Sequence, residues 1–173
     1  SVAGMVVSGK ETLLSQNRYF LTQGGYSQQV VDEYCKMLIL AFDGDKTLLQ
    51  ELESSALPAE LKQNIKQGLL QLNTPYLQYF LALDMRGRLA DVACPVLALN
   101  GTKDTQVFYE DNLGALRRGL PSNVNNKIVS MDGLNHLLQH CTTGSVNEYG
   151  AIEETISPDA LEAIVTWVKS LPQ

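Results

Sequence analysis

The run Val92-Ala93-Cys94-Pro95-Val96-Leu97-Ala98-Leu99 constrains this chain more than any other stretch. It is apolar throughout rather than alternating, as expected of a strand covered on both faces in a parallel sheet. A helix is expected over 108–118, a loop at Pro121-Ser122-Asn123, and an alternating strand at Lys127-Ile128-Val129-Ser130-Met131. A loop rich in Gly, Asn and Thr follows over 133–147. Ser157-Pro158 then opens a last helix with Leu161, Ile164, Val165 and Val168 as its buried stripe. Strand, helix, strand, helix reads as a right-handed parallel crossover, so the expected fold class is α/β. Two parallel strands are too few for a core, and something must lie beside them.

The chain before this run is helical in pattern. Residues 1–9 are short, apolar and glycine-bounded, a strand end or extended lead-in. A first helix over 11–22 stops at Gly24-Gly25. Ser27 caps a second, with Val30, Val31, Tyr34, Met37, Leu38 and Ala41 at helical spacing; it ends near Gly44. A short third helix is expected over 46–53. Pro58 starts a fourth, with Leu61, Ile65, Leu69 and Leu72 on one face, and Pro75 opens a short aromatic fifth. Asp84 before Arg86-Gly87-Arg88 marks a structural hinge.

The 173 residues are enough for one domain with a real core. The net charge of −6, without any Lys/Arg cluster, argues against a nucleic-acid partner. No run reaches the roughly 18 apolar residues of a membrane span. Cys35, Cys94 and Cys141 have neither a zinc spacing nor a disulfide framework, and read as idle thiols of a reducing compartment. His140, four residues after His136, could share a metal with it only on a helix, and the surrounding Gly133, Asn135 and Thr142-Thr143-Gly144 argue for a loop. No metal and no cofactor is therefore expected. Glu148, Glu153 and Glu154 read as a solvated acidic turn and helix cap.

Asp104 follows the first strand and His136 follows the second. In α/β sheets, functional groups collect at the carboxyl ends of strands. An acid before a histidine on successive strands is the order of the α/β-hydrolase triad, whose nucleophile comes earlier in the chain. The carboxylate would fix the imidazole tautomer and free its other nitrogen to take a proton from a serine.

Residues 91–173 resemble the carboxyl-terminal part of α/β-hydrolase-fold serine esterases. The resemblance rests on Cys94-Pro95-Val96-Leu97, Asn100-Gly101-Thr102-Lys103-Asp104, Gly133-Leu134-Asn135-His136 and the closing helix ending at Trp167. Residues 10–90 resemble the helical cap, or lid, of such enzymes, and residues 1–9 the end of a core strand with its lead-in. The resemblance implies a fragment of that fold: a cap followed by a β-α-β-α unit, with Asp104 and His136 as catalytic acid and base. It also implies Met37, Tyr76 and Phe80 as cap residues shaping an apolar acyl pocket, and a small-molecule ester as substrate.

The departures bear on the chemistry. No Gly-x-Ser-x-Gly turn occurs, and no His-Gly-Gly type loop to supply an oxyanion amide. Ser8 precedes Gly9 in a lead-in and Ser145 follows Gly144 in a polar loop, so neither sits on a strand-to-helix elbow. Phe108 stands where relatives often carry proline, without consequence for the chemistry. The expectation is a carboxylesterase-like serine hydrolase whose serine lies upstream of Ser1, with this chain inactive alone. The alternative is a non-catalytic binding or assembly module on the same scaffold. Any targeting segment would precede Ser1, which leaves the compartment open. The strand over 92–99 is expected to present an unpaired apolar edge and to pair with a second copy across a two-fold axis.

Overall fold

The structure, a computed structural model, describes residues 1–72 and 74–172. The chain divides into a helical unit, Ser8–Leu83, and a sheet unit made of Ser1–Val7 and Asp84–Gln173. Together they make a mixed α/β protein. Among the described residues, no helix is long and apolar enough to cross a membrane.

The helical unit holds α1 (Gly9–Gln23), α2 (Gln28–Phe42), α3 (Leu48–Ser54), α4 (Ala59–Leu72) and α5 (Pro75–Ala82). Its helix starts are set by short polar side chains. Ser8 and Glu11 form a reciprocal capping box on α1, Ser27 accepts the Val30 amide at α2, and Thr74 precedes Pro75 at the start of α5. The apolar stripes meet in a core that includes Val31, Met37, Leu52, Leu61 and Ile65.

The sheet unit opens with a 3₁₀ turn, Met85–Asp91, then runs β1 (Leu97–Gly101), α6 (Tyr109–Gly119), β2 (Lys127–Met131), a second 3₁₀ turn (Val146–Ala151) and α7 (Pro158–Ser170). β1 and β2 pair in parallel, from Leu97 opposite Lys127 to Gly101 opposite Met131. All five residues of β1 are buried, as the unbroken apolar run requires. Ala98, Leu113, Ala115 and Leu116 form one core cluster; Leu97, Leu99, Leu134, Leu138 and Ala160 form another. Buried Asn112 on α6 accepts the Val6 and Val7 amides (2.7 and 3.2 Å), which fixes the lead-in against the sheet unit.

Two expectations change. The strand begins at Leu97 rather than at 92, because the Val92 amide closes the 3₁₀ turn on Leu89 and Pro95 has no N–H to give. The Val96 amide goes to Asn126 Oδ1 (2.8 Å) instead of joining the ladder. Nor does β1 have a free edge. Ser1–Ala3 lies along it: the Ser1 ammonium donates to the Leu97 carbonyl (2.7 Å), the Leu99 amide to Ser1 and the Ala3 amide to Leu99 (2.9 and 2.8 Å). β1 is thus the middle of the small sheet, and pairing with a second copy through it loses its basis. On β2, the Arg117 guanidinium donates to the outward Ile128 carbonyl (3.3 Å).

Candidate active site

The turn after β1 delivers Asp104. Its carboxylate is fully enclosed, with a side-chain exposure of 0%. A buried carboxylate is tolerated only when its lone pairs are engaged. Oδ1 accepts the amides of Gln106 and Val107, each at 2.8 Å, which winds residues 104–107 into a tight turn. Oδ2 accepts the Asn100 side-chain amide and faces His136 Nδ1, both at 2.9 Å. Asn100, at the end of β1, also donates to the Val107 carbonyl (3.0 Å), while its own Oδ1 is buried without a hydrogen-bond partner among the described residues.

The turn after β2 delivers His136. Asn135 beside it is wholly buried and accepts the Leu137 and Gln139 amides (2.9 and 3.0 Å), while Leu138 takes a left-handed φ of 57°. The histidine therefore stands on a rigid loop. The two turns touch at their backbones: the Lys103 amide donates to the Leu134 carbonyl (2.9 Å). A Cβ on Gly101 would lie 2.1 Å from that same carbonyl, so this approach requires glycine. Further out, Lys103 Nζ donates to the Cys141 and Thr142 carbonyls (3.0 and 2.9 Å), and Thr105 Oγ1 to the Gly144 carbonyl (3.1 Å).

The electrostatics follow from this packing. The hydrogen bond to Asp104 raises the His136 pKa above the ordinary imidazole value, and partial burial opposes it. A carboxylate can only accept, so Nδ1 carries the proton and Nε2 is the free nitrogen of the neutral ring. The imidazole is 27% exposed, and among the described residues Nε2 has no hydrogen-bond partner. Such an arrangement can take a proton from a group placed at Nε2 and hold the resulting imidazolium against a buried carboxylate.

Tyr149, in the second 3₁₀ turn, completes the surroundings. Gln106 Nε2 donates to its hydroxyl (2.9 Å), and burial pushes the phenol pKa up. Asn100 and Tyr149 escape a reading for ionisable pairs. Their signals are faint: an asparagine ending an apolar strand, and a lone aromatic in a polar loop. Glu148 is also more than a solvated carboxylate. It collects the Thr143 amide and hydroxyl (2.8 and 2.7 Å) and the Gly144 amide, which lowers its pKa and organises the loop after His136.

The remaining candidates lie elsewhere. His140 is exposed and pairs through Nδ1 with Glu154 (3.1 Å). Among the described residues, no group of three or more His, Cys, Asp or Glu side chains could hold a metal ion. Met37 is fully buried in the core of the helical unit. Tyr76 is 77% exposed on α5 and stacks on Phe80, ring centroids 6.5 Å apart. Met37 thus offers no surface, whereas the Tyr76–Phe80 pair does. Comparison with protein-family models, with curated proteins and with solved structures found nothing that matches this chain.

Proposed function

We propose that Asp104 and His136 are the acid and base of a serine hydrolase of the α/β-hydrolase type, acting on esters. The observation that carries this reading is the 2.9 Å contact between His136 Nδ1 and a fully enclosed Asp104 carboxylate, with both residues directly after parallel strands. On this reading His136 Nε2 takes the proton of a serine hydroxyl as that oxygen attacks the ester carbonyl. It then returns the proton to the leaving alkoxide, while Asp104 keeps the ring in its working tautomer throughout. On this reading the nucleophile comes from outside these 173 residues, and the helical unit corresponds to the cap of such enzymes.

The test is hydrolysis of an activated aryl ester by the full reading frame that contains these residues. His136→Ala should lower kcat about 10³-fold, the usual scale of a general base. Because His136 must be neutral to act, and its pKa is raised by Asp104, the rate should climb with pH on the alkaline side of the ordinary imidazole value. Hydrolysis that survives His136→Ala undiminished overturns the proposal.

A further inference from the structure

The lone pairs of the Asp104 carboxylate are all engaged: Oδ1 by the Gln106 and Val107 amides, Oδ2 by His136 and the Asn100 side-chain amide. Asn100 commits both amide hydrogens there, one to Oδ2 and one to the Val107 carbonyl. Turning the amide over would set its oxygen against that carboxylate and that carbonyl. The partners therefore fix its orientation and leave Oδ1 without a donor among the described residues. An unmatched buried acceptor is unfavourable, and asparagine is a poor strand former. Asn100 is nonetheless only 1% exposed, in a strand otherwise built of Leu97, Ala98, Leu99 and Gly101. An apolar side chain of the same shape would carry neither cost. A break of this kind with the local pattern marks a functional position.

We propose that Asn100 is a positioning residue for the base: by occupying one lone pair of Asp104 Oδ2, it holds that oxygen toward His136 and limits how strongly it draws the imidazole proton. The proposal rests on the reading of His136 as the base. A base that holds its proton too tightly is charged near neutral pH and cannot act. Sharing Oδ2 between two donors keeps the ring neutral down to a lower pH. The other titratable groups around the pair are Tyr149 and Cys141, both pushed up by burial, and Lys103, whose ammonium is held by the Cys141 and Thr142 carbonyls. Among the described residues, none of the three bonds to Oδ2.

Asn100→Leu removes the donor and keeps the shape. In the 173-residue chain, imidazole NMR should show the His136 midpoint move about half a pH unit toward alkaline, roughly a three-fold gain in proton affinity. Exposed His140, paired with Glu154, should not move. In the full reading frame, the acid limb of the kcat/KM profile for ester hydrolysis should shift by the same amount. A residue that only packs would move neither. A His136 midpoint that stays fixed or moves toward acid overturns the proposal. The two failures are distinct: hydrolysis that survives His136→Ala overturns the hydrolase reading, whereas a fixed midpoint overturns the role of Asn100 alone. Should Asn100→Leu fail to fold, the unaltered chain decides. Its Asn100 side-chain amide protons should exchange with solvent about ten-fold more slowly than those of exposed asparagines, and should shift with the His136 midpoint. Exchange at the exposed rate, or signals that ignore that midpoint, overturns the proposal.

Discussion

Replacing Asp104 with asparagine changes one oxygen to an NH₂ and tests the site atom by atom. The retained oxygen can still accept the Gln106 and Val107 amides, now at 2.8 Å. The new amide then faces His136 and the Asn100 amide, both of which lie at 2.9 Å from Oδ2. Two donors cannot share that contact. Asn100 can turn its unpartnered Oδ1 toward the new amide, but only by giving up its 3.0 Å bond to the Val107 carbonyl. The net loss is the neutral bond to Val107 together with the charge assistance of the bonds that remain, about 2–4 kcal/mol. His136 must now accept at Nδ1, which moves the ring proton to Nε2 and leaves no base there.

The pH dependence has a definite sign. Asp104 raises the His136 pKa in the folded state. That contribution is complete below the unfolded value of about 6.5 and is lost as pH rises through the raised folded value. Urea denaturation should therefore show a larger penalty for Asp104→Asn at about pH 5.5 than at about pH 8.5. Nitrogen NMR of the imidazole should show Nδ1 protonated in the unaltered chain and Nε2 protonated in the variant, above the His136 pKa. An equal penalty at both pH values, or an unchanged tautomer, would refute the hydrogen-bond assignment.

Three further outcomes follow from the packing. Gly101→Ala should cost about 3 kcal/mol by denaturant titration, because its Cβ meets the Leu134 and Asn135 carbonyls at 2.1 and 2.6 Å; near-native stability would contradict that approach. Ser157→Ala should cost about 1 kcal/mol by denaturant titration, since buried Ser157 accepts the Ala160 amide (3.1 Å) at the start of α7. Lys103→Met should remove about 1 kcal/mol and speed amide exchange across 141–144, while leaving the His136 titration in place.

What could be read from the chain followed the strength of its local signals. The Ser27 cap, the Pro75 start, the Ser157-Pro158 start and the alternating strand at Lys127–Met131 are local and strong, and the structure has them. The start of β1 was harder to read, because apolar content does not tell a ladder from an extended approach. Pro95 and the Val96–Asn126 bond decide it. The pairing of Ser1–Ala3 with β1 joins residues nearly a hundred apart, which periodicity cannot show. At the site, the order of Asp104 and His136 along the chain was legible. The two asparagines were not: Asn100 and Asn135 act through partners fixed only by the folded loops. Met37 shows the limit of pattern reading at its plainest, since the same helical stripe describes a pocket wall and a core, and it lies in the core.

The hydrolase assignment is tested most directly by locating the serine that a fluorophosphonate probe modifies. In the full reading frame containing these residues, the probe should label one serine outside the 173, and His136→Ala should abolish that labelling. The 173-residue chain alone should remain unlabelled, because among its described residues His136 Nε2 has no hydroxyl to activate. Stoichiometric labelling of a serine within the chain, or labelling of the longer protein that does not depend on His136, would contradict the assignment.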